Sequence, residues 1–526
     1  MRTADSSQPP ARNPQDPAAT VETTADTSVE TTADTSADTS ADTSADTHPE
    51  RSRPRPRSTT AILVLACAAQ FMVILDVTIV NVALPAMRAE LHLDAAGQQW
   101  IVNAYTLGFA GLLLLGGRTA DLVGNRRAFL AGVTAFTLAS LAGGLADGGG
   151  PLVAARAVQG VGGAFLAPAT LALLMRTFTD PASRARAMGA WSVVTAAGGA
   201  VGAVVGGVLT EYAGWRWVLF VNVPIGAALL TAALLYVPAA GGGRGGARRL
   251  DLPGALTATA GLTALVHGTI ASETHGWDSP HVWVPAGAGA LLLAAFVVVE
   301  SRVAHPLVPL AILRHRGLAV ANPLVMAMSG AGFSMWFLLS LHLQQNLGFS
   351  AVRAGLCFVP GSLGIIAGAG IATRLVARTG PRPLIVAGMT LGTAGFVWLS
   401  RISAGGSYAG EVAGPFVLTS LGFGLALMPA MVAATGGTDP AEAGLASGIL
   451  NTSRQVGGAL GLAVLATVAS HTTAARLAWR PHELQQALTA GYGRALLTAA
   501  AFTACAALGA LALPGRRGKA PLRHHS

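Results

Sequence analysis

Three side chains stand where chemistry is expensive. Asp76 lies in "LDVTIVNVALP", within an apolar run that begins near Thr60. Arg156 and Gln159 lie in "LVAARAVQG", three residues apart and so on one face of a helix. A carboxylate in so apolar a segment costs about 2.5–3.5 kcal/mol on membrane-insertion scales, so its presence demands a use. Two uses suit a carboxylate that an arginine can reach. A permanent pair is a strut. A partner that comes and goes lets the acid load a proton on one side of a barrier and lose it on the other.

The remaining acids sharpen the case for Asp76. Beyond residue 50 they are Glu90, Asp94, Asp121, Asp147, Asp180, Glu211, Asp251, Glu273, Asp278, Glu300, Glu411, Asp439, Glu442 and Glu483, all in loops or at the ends of apolar segments. At 1.5 Å per residue, Asp76 stands about 24 Å along a helix rising from Thr60, and Arg156 about 8 Å along one descending from Pro151. The two are therefore expected at similar heights, in the outer half of the membrane.

The elements that must position them are membrane spans. The 526 residues are 52% hydrophobic and 11% charged, and the mean hydropathy is +0.54. That balance fits a polytopic all-α membrane protein rather than a soluble domain. Apolar segments long enough to cross recur fourteen times, near 60–84, 97–117, 128–147, 151–175, 187–210, 217–237, 252–271, 282–300, 317–341, 354–375, 383–401, 411–434, 443–470 and 492–513. They are numbered spans 1 to 14. Residues 1–58 form an acidic, low-complexity tail ("ADTSADTSADTSADT"), expected to be disordered and, with no apolar stretch before Thr60, not a signal peptide.

Arginine placement sets the orientation. With the N-terminus inside, inner flanks hold 23 basic residues and outer flanks 7, the latter Arg88, Arg216, Arg353, Arg401, Arg476, Arg480 and Arg494. Both termini are therefore expected in the cytoplasm, although the inner loop 435–442 has no basic residue. "RRAFLAG" from Arg126 and "RPLIVAG" from Arg382 lie 256 residues apart. "GGAVGAVV" from Gly198 and "GGALGLAV" from Gly457 lie 259 apart. Each offset equals eight spans. The expected domains are the tail 1–58, a six-helix bundle over 59–237, a linker with two extra spans over 238–305, a second bundle over 306–514 and a basic tail over 515–526. Duplicated bundles of this kind place a substrate site between the halves.

Five further stretches carry a family resemblance from about Thr60 to Pro514. They are "GRTADLVGNRR" (Gly117–Arg127), "GGAVGAVVGGVL" (Gly198–Leu209), "WRWVLFVNVPIG" (Trp215–Gly226), "HLQQNLGFSAVRAGLCFVPG" (His342–Gly361) and "GILNTSRQVGGALG" (Gly448–Gly461). With "LVAARAVQG", they resemble the major facilitator superfamily, in particular its fourteen-span drug:proton antiporter branch. The resemblance implies a major-facilitator fold of two six-helix bundles plus two central helices. It implies a cytoplasmic latch of Gly117, Asp121, Gly124, Arg126 and Arg127. Here Thr119, Leu122 and Asn125 depart from the family pattern, and Ala377 replaces the acid in the second half. The small face of Gly198, Gly202 and Gly206, with Gly207, matches the antiporter helix-packing motif, but Ala203 stands where the family has proline.

The resemblance also implies proton-coupled export of amphipathic drugs, antibiotics or a self-made metabolite across a bacterial inner membrane, by alternating access and as a monomer. Proton coupling falls to Asp76 and Arg156. Span positions nominate Phe71, Met72, Gln159, Trp191, Phe333, Trp336, Asn451, Arg454 and Gln455 as cavity candidates, and Arg156 and Arg454 tilt such a cavity toward neutral or weakly acidic compounds. A symporter or exporter of an ordinary nutrient stays open, because direction is not written in the residues. ATP hydrolysis by a P-loop is excluded, since the one lysine, Lys519, is followed by Ala520. No catalytic group, cofactor or nucleic-acid partner is expected. No metal is expected either, because Cys67, Cys357 and Cys505 are isolated within apolar runs.

Overall fold

Helices are the form in which an apolar chain satisfies its backbone without water, and among the described residues there is no strand. The computed structural model describes residues 56–238, 251–303, 306–436 and 443–513. The acidic tail, Arg244, Arg248 and Arg249 of the linker, residues 437–442 and the basic C-terminal tail lie outside the described residues, as does the side chain of Asp121.

Fourteen helices among the described residues are long and apolar enough to cross a membrane. Spans 1 to 4 are Thr59–Glu90, Ala95–Ala120, Asn125–Gly144 and Gly149–Thr177. Spans 5 to 8 are Ala182–Tyr212, Arg216–Tyr236, Leu252–Ser272 and Pro280–Arg302. Spans 9 to 11 are Arg316–Asn346, Ala351–Thr379 and Pro381–Leu399, and spans 12 to 14 are Tyr408–Thr435, Leu445–Trp479 and Leu484–Ala510.

Several helices outrun their apolar core. Span 1 continues through Pro85 to Glu90, and span 14 begins at Leu484, eight residues ahead of the apolar segment expected from 492. Arg494, counted on an outer flank, lies within the helix of span 14, on an exposed face. Side-chain caps mark several starts. Asp94 accepts from the Gly97 amide and Asp180 from that of Ser183, covering donors a helix start leaves open.

Spans 1 to 6 pack together, as do spans 9 to 14. Spans 7 and 8 pair with each other, and span 7 lies against spans 2 and 13. The repeat is visible in the backbone: Gly124 and Gly380, at matching points of the two halves, both have positive φ, 97° and 81°. Glycine adopts that region without penalty, so each half turns tightly between its second and third helices.

The halves meet between spans 1 and 9 and spans 5 and 10, at the ends of spans 1 and 5 away from Thr59 and Ala182, and also between spans 2 and 13. Ser340 Oγ donates to the Asn81 carbonyl at 2.8 Å, and Gln344 Nε2 donates to that of Val82 at 3.0 Å. Both bonds tie span 9 to span 1. Span 5 meets span 10 at the same face, where Glu211 accepts from the Val352 amide at 3.0 Å.

Candidate functional site

Asp76 is fully buried, at 0% exposure, and Arg156 nearly so, at 2%. Arg156 Nη1 donates to Asp76 Oδ2 at 2.6 Å and to Gln159 Oε1 at 2.8 Å. Gln159 Nε2 donates to Asp76 Oδ1 at 2.7 Å. The approximate depths read from the sequence and the i, i+3 spacing thus bring these three side chains into one cluster.

Two more helices complete it. Asn222 Nδ2 donates to Asp76 Oδ1 at 2.9 Å and to Ser140 Oγ at 3.0 Å. Ser140 also accepts from Gln159 at 3.2 Å and donates to the Leu219 carbonyl at 2.9 Å. Span 6 turns at Val221, between a helix over Arg216–Phe220 and one over Asn222–Tyr236, so Asn222 opens its second segment. Arg156 Nε donates to the Ile101 carbonyl at 3.3 Å, and its guanidinium lies 4.4 Å from the centre of the Tyr105 ring. Five spans therefore contribute to the cluster, and its carboxylate accepts three hydrogen bonds, from Arg156, Gln159 and Asn222.

Close helix approach makes the cluster possible. A Cβ on Gly160, one residue past Gln159, would collide with the Tyr105 carbonyl of span 2. That contact brings span 4 near enough for Arg156 to reach Ile101 and Tyr105. On the other side of span 1, Gly198, Gly202 and Gly206 press against Phe71, Ile74, Leu75, Thr78 and Ile79. The small-residue face of span 5 thus abuts the helix that carries Asp76. Gly207 faces away, onto Ala351 and Val352 of span 10.

The other nominated residues do not join this cluster. Met72 does not line open space. It is fully buried, in one apolar cluster with Tyr105 and Phe109, because it lies four residues before Asp76 and shares its inward face. Gln159, 1% exposed, belongs to the Asp76 cluster rather than to a cavity wall. Phe71, Trp191, Phe333, Trp336, Asn451 and Arg454 are half-buried and Gln455 is buried. Trp336 stacks on Phe358 with ring centres 4.7 Å apart. Trp191 packs beside Ala66, Leu174 and Ala187. Arg454 donates to Asn451 Oδ1 at 3.1 Å.

Among the latch residues, a methyl group placed on Gly117 would lie 3.7 Å from the Pro168 side chain, an ordinary contact. Arg126 donates to the Leu234 carbonyl at 3.0 Å, and Arg127 is exposed. Ser140, Asn222 and Tyr105 are neighbours in the cluster that sequence reasoning does not reach. Asn222 alone carries a signal, its place in "WRWVLFVNVPIG"; Ser140 carries none.

Comparison with known proteins bears on this arrangement. Residues 66–462 match the family model described as Major Facilitator Superfamily. The chain is 46% identical over 419 residues to the cephamycin export protein of Amycolatopsis lactamdurans, covering 79% of this chain and 86% of that one. It is 44% identical over 429 residues to the puromycin resistance protein of Streptomyces alboniger, covering 81% and 84%. In fold it resembles a bacterial homologue of the human lysosomal transporter Spinster, solved in an inward-facing, unoccupied conformation. The TM-score is 0.62 and the identity 15%, over 87% of this chain and 97% of that one.

Proposed function

The chain belongs to the major facilitator superfamily, and from that premise we propose that it is a proton-driven exporter of amphipathic small molecules such as antibiotics. The observation that carries the reading is the fully buried Asp76 carboxylate, held by Arg156 from another helix. Export rather than uptake is supported by the relatives, which are named for antibiotic export and resistance.

Asp76 and Arg156 belong to the same half, so rocking the halves as rigid bodies would not part them. Span 1 supplies the link. Its carbonyls at Asn81 and Val82 bind Ser340 and Gln344 of span 9, five and six residues from Asp76 and so within about 10 Å along the helix. Opening that face pulls on span 1 next to Asp76, while Arg156 stays anchored to Ile101 and Tyr105 on span 2. A shift of span 1 separates acid from guanidinium, and the bared carboxylate takes a proton. Return of the pair expels it. The glycine face of span 5 leaves span 1 a smooth surface for this motion.

In this reading the protein lies in a bacterial inner membrane with both termini cytoplasmic, and works as a monomer of two bundles, 59–237 and 306–514, joined by the linker and extra spans over 238–305. The segment Gly117–Arg127 closes the cytoplasmic side. The test is accumulation of a fluorescent dye or antibiotic in cells expressing the protein, with and without a proton uncoupler. Low accumulation that rises on uncoupling supports export. Accumulation that is high and falls on uncoupling would instead identify an importer.

A further inference from the structure

Span 13 carries a guanidinium that the proton-binding cluster does not use. Arg454 stands nine residues into Leu445–Trp479, about 14 Å along the helix. Its Nε bonds the neutral Asn451 Oδ1 on its own helix. The ion pairs among the described residues are Arg156–Asp76, Arg216–Glu90 and Arg480–Glu483, so Arg454 has no carboxylate partner there. An arginine at depth in a membrane protein is normally paired or faces a wet cavity. Asp76 cannot serve it, being enclosed at 0% exposure and held by Arg156, Gln159 and Asn222. Arg454, by contrast, is only half-buried.

Its surroundings suit an amphipathic guest. Asn451, Arg454 and Gly458 fall at helical spacing on one face. The Phe333 ring of span 9 lies against Gly458, where a Cβ would collide with it, and Phe333 is half-buried as well. An aromatic surface therefore stands one turn from a guanidinium whose orientation Asn451 fixes. A guanidinium has five N–H donors, of which the Asn451 bond uses one, and the planar fork matches a carboxylate with two parallel bonds.

We propose that Arg454 is the anion-binding residue of the substrate path, and that the exported compounds are amphipathic acids whose carboxylate pairs with it while the apolar body rests on Phe333. This rests on the reading of the chain as an exporter of amphipathic molecules and names their class.

Binding in detergent, which needs no gradient, separates the two ideas. Full-length protein is titrated calorimetrically with benzylpenicillin, 1-naphthylacetate and pyrenebutyrate, each against its neutral methyl amide. At least one acid is expected to bind tenfold or more tightly than its amide. Arg454→Gln should remove that preference and leave amide binding within about twofold, since the difference is carried by one charge-assisted pair. Arg454→Lys should keep part of it. The proposal is overturned if no acid is preferred by the unaltered protein, a result that stands whether or not the variants fold. It is equally overturned if folded Arg454→Gln loses acid and amide alike. Acid-selective binding without proton-driven efflux would support the anion site and contradict the exporter reading. Proton-driven efflux with no preference for acids would do the reverse.

Discussion

Removing Arg156 should be costly in a way that depends on Asp76. In Arg156→Ala the carboxylate at 0% exposure loses its one cationic partner, and breaking a buried pair from one side costs about 3–5 kcal/mol. Asp76→Asn should cost less. It removes the charge, but an amide nitrogen must then replace one carboxylate oxygen. Oδ1 faces the Gln159 and Asn222 amide donors, and Oδ2 faces Arg156, so either orientation sets donor against donor. One such mismatch costs about 1–3 kcal/mol. With Arg156 also gone, the substituted side-chain amide can turn its nitrogen to the vacated side and keep Gln159 and Asn222 satisfied. The double variant should therefore be more stable than the sum of the singles implies, by about 2 kcal/mol, within the range found for residues in contact. The assay is equilibrium unfolding in mixed micelles for the four proteins, beside proton-driven efflux in vesicles normalised to folded protein. Both single variants and the double should lack uphill efflux, because Asp76 is missing from two and left without its partner in the third. Recovery of efflux in the double variant would refute the proton-carrier role and leave the pair a strut. Strict additivity of the stability losses would refute the energetic role assigned to the pair.

Other expectations follow from the same geometry. Asp76→Glu should retain a reduced, still proton-dependent efflux, since the group titrates but is displaced by one methylene in a closed cluster; full loss in folded protein would contradict this. Gly206→Ala should destabilise by about 1–3 kcal/mol through overpacking, because a Cβ there lies 2.8 Å from the Ile79 side chain and 3.0 Å from its carbonyl oxygen. Gly199→Ala, with nothing within 4 Å of its Cβ, should change thermal unfolding little, and equal effects at the two positions would refute the packing argument. A reporter fused after Arg523 should be active on the cytoplasmic side; activity only outside would overturn the orientation drawn from the arginines.

The spans are legible because apolar runs of membrane length leave few alternatives. Their ends are not. Hydropathy marks where lipid contact stops, whereas the helices of spans 1, 13 and 14 continue beyond it. That Asp76 and Arg156 stand at similar heights follows from depth, and the shared face of Gln159 from its spacing to Arg156. Asn222, Ser140 and Tyr105 reach the cluster from other helices, and the rotation of one span against another leaves no trace in a single sequence. Met72 shows the limit in the other direction: its depth suits a cavity, but its face is set by Asp76 four residues later.

The account turns on whether Asp76 couples substrate movement to protons. The most direct measurement compares the unaltered protein with Asp76→Asn in proteoliposomes, reading substrate exchange at equal pH and substrate accumulation driven by a pH gradient in the same preparation. The unaltered protein should do both. Asp76→Asn should still exchange substrate but should not accumulate it against its gradient. Gradient-driven accumulation by Asp76→Asn at the unaltered rate would contradict the account.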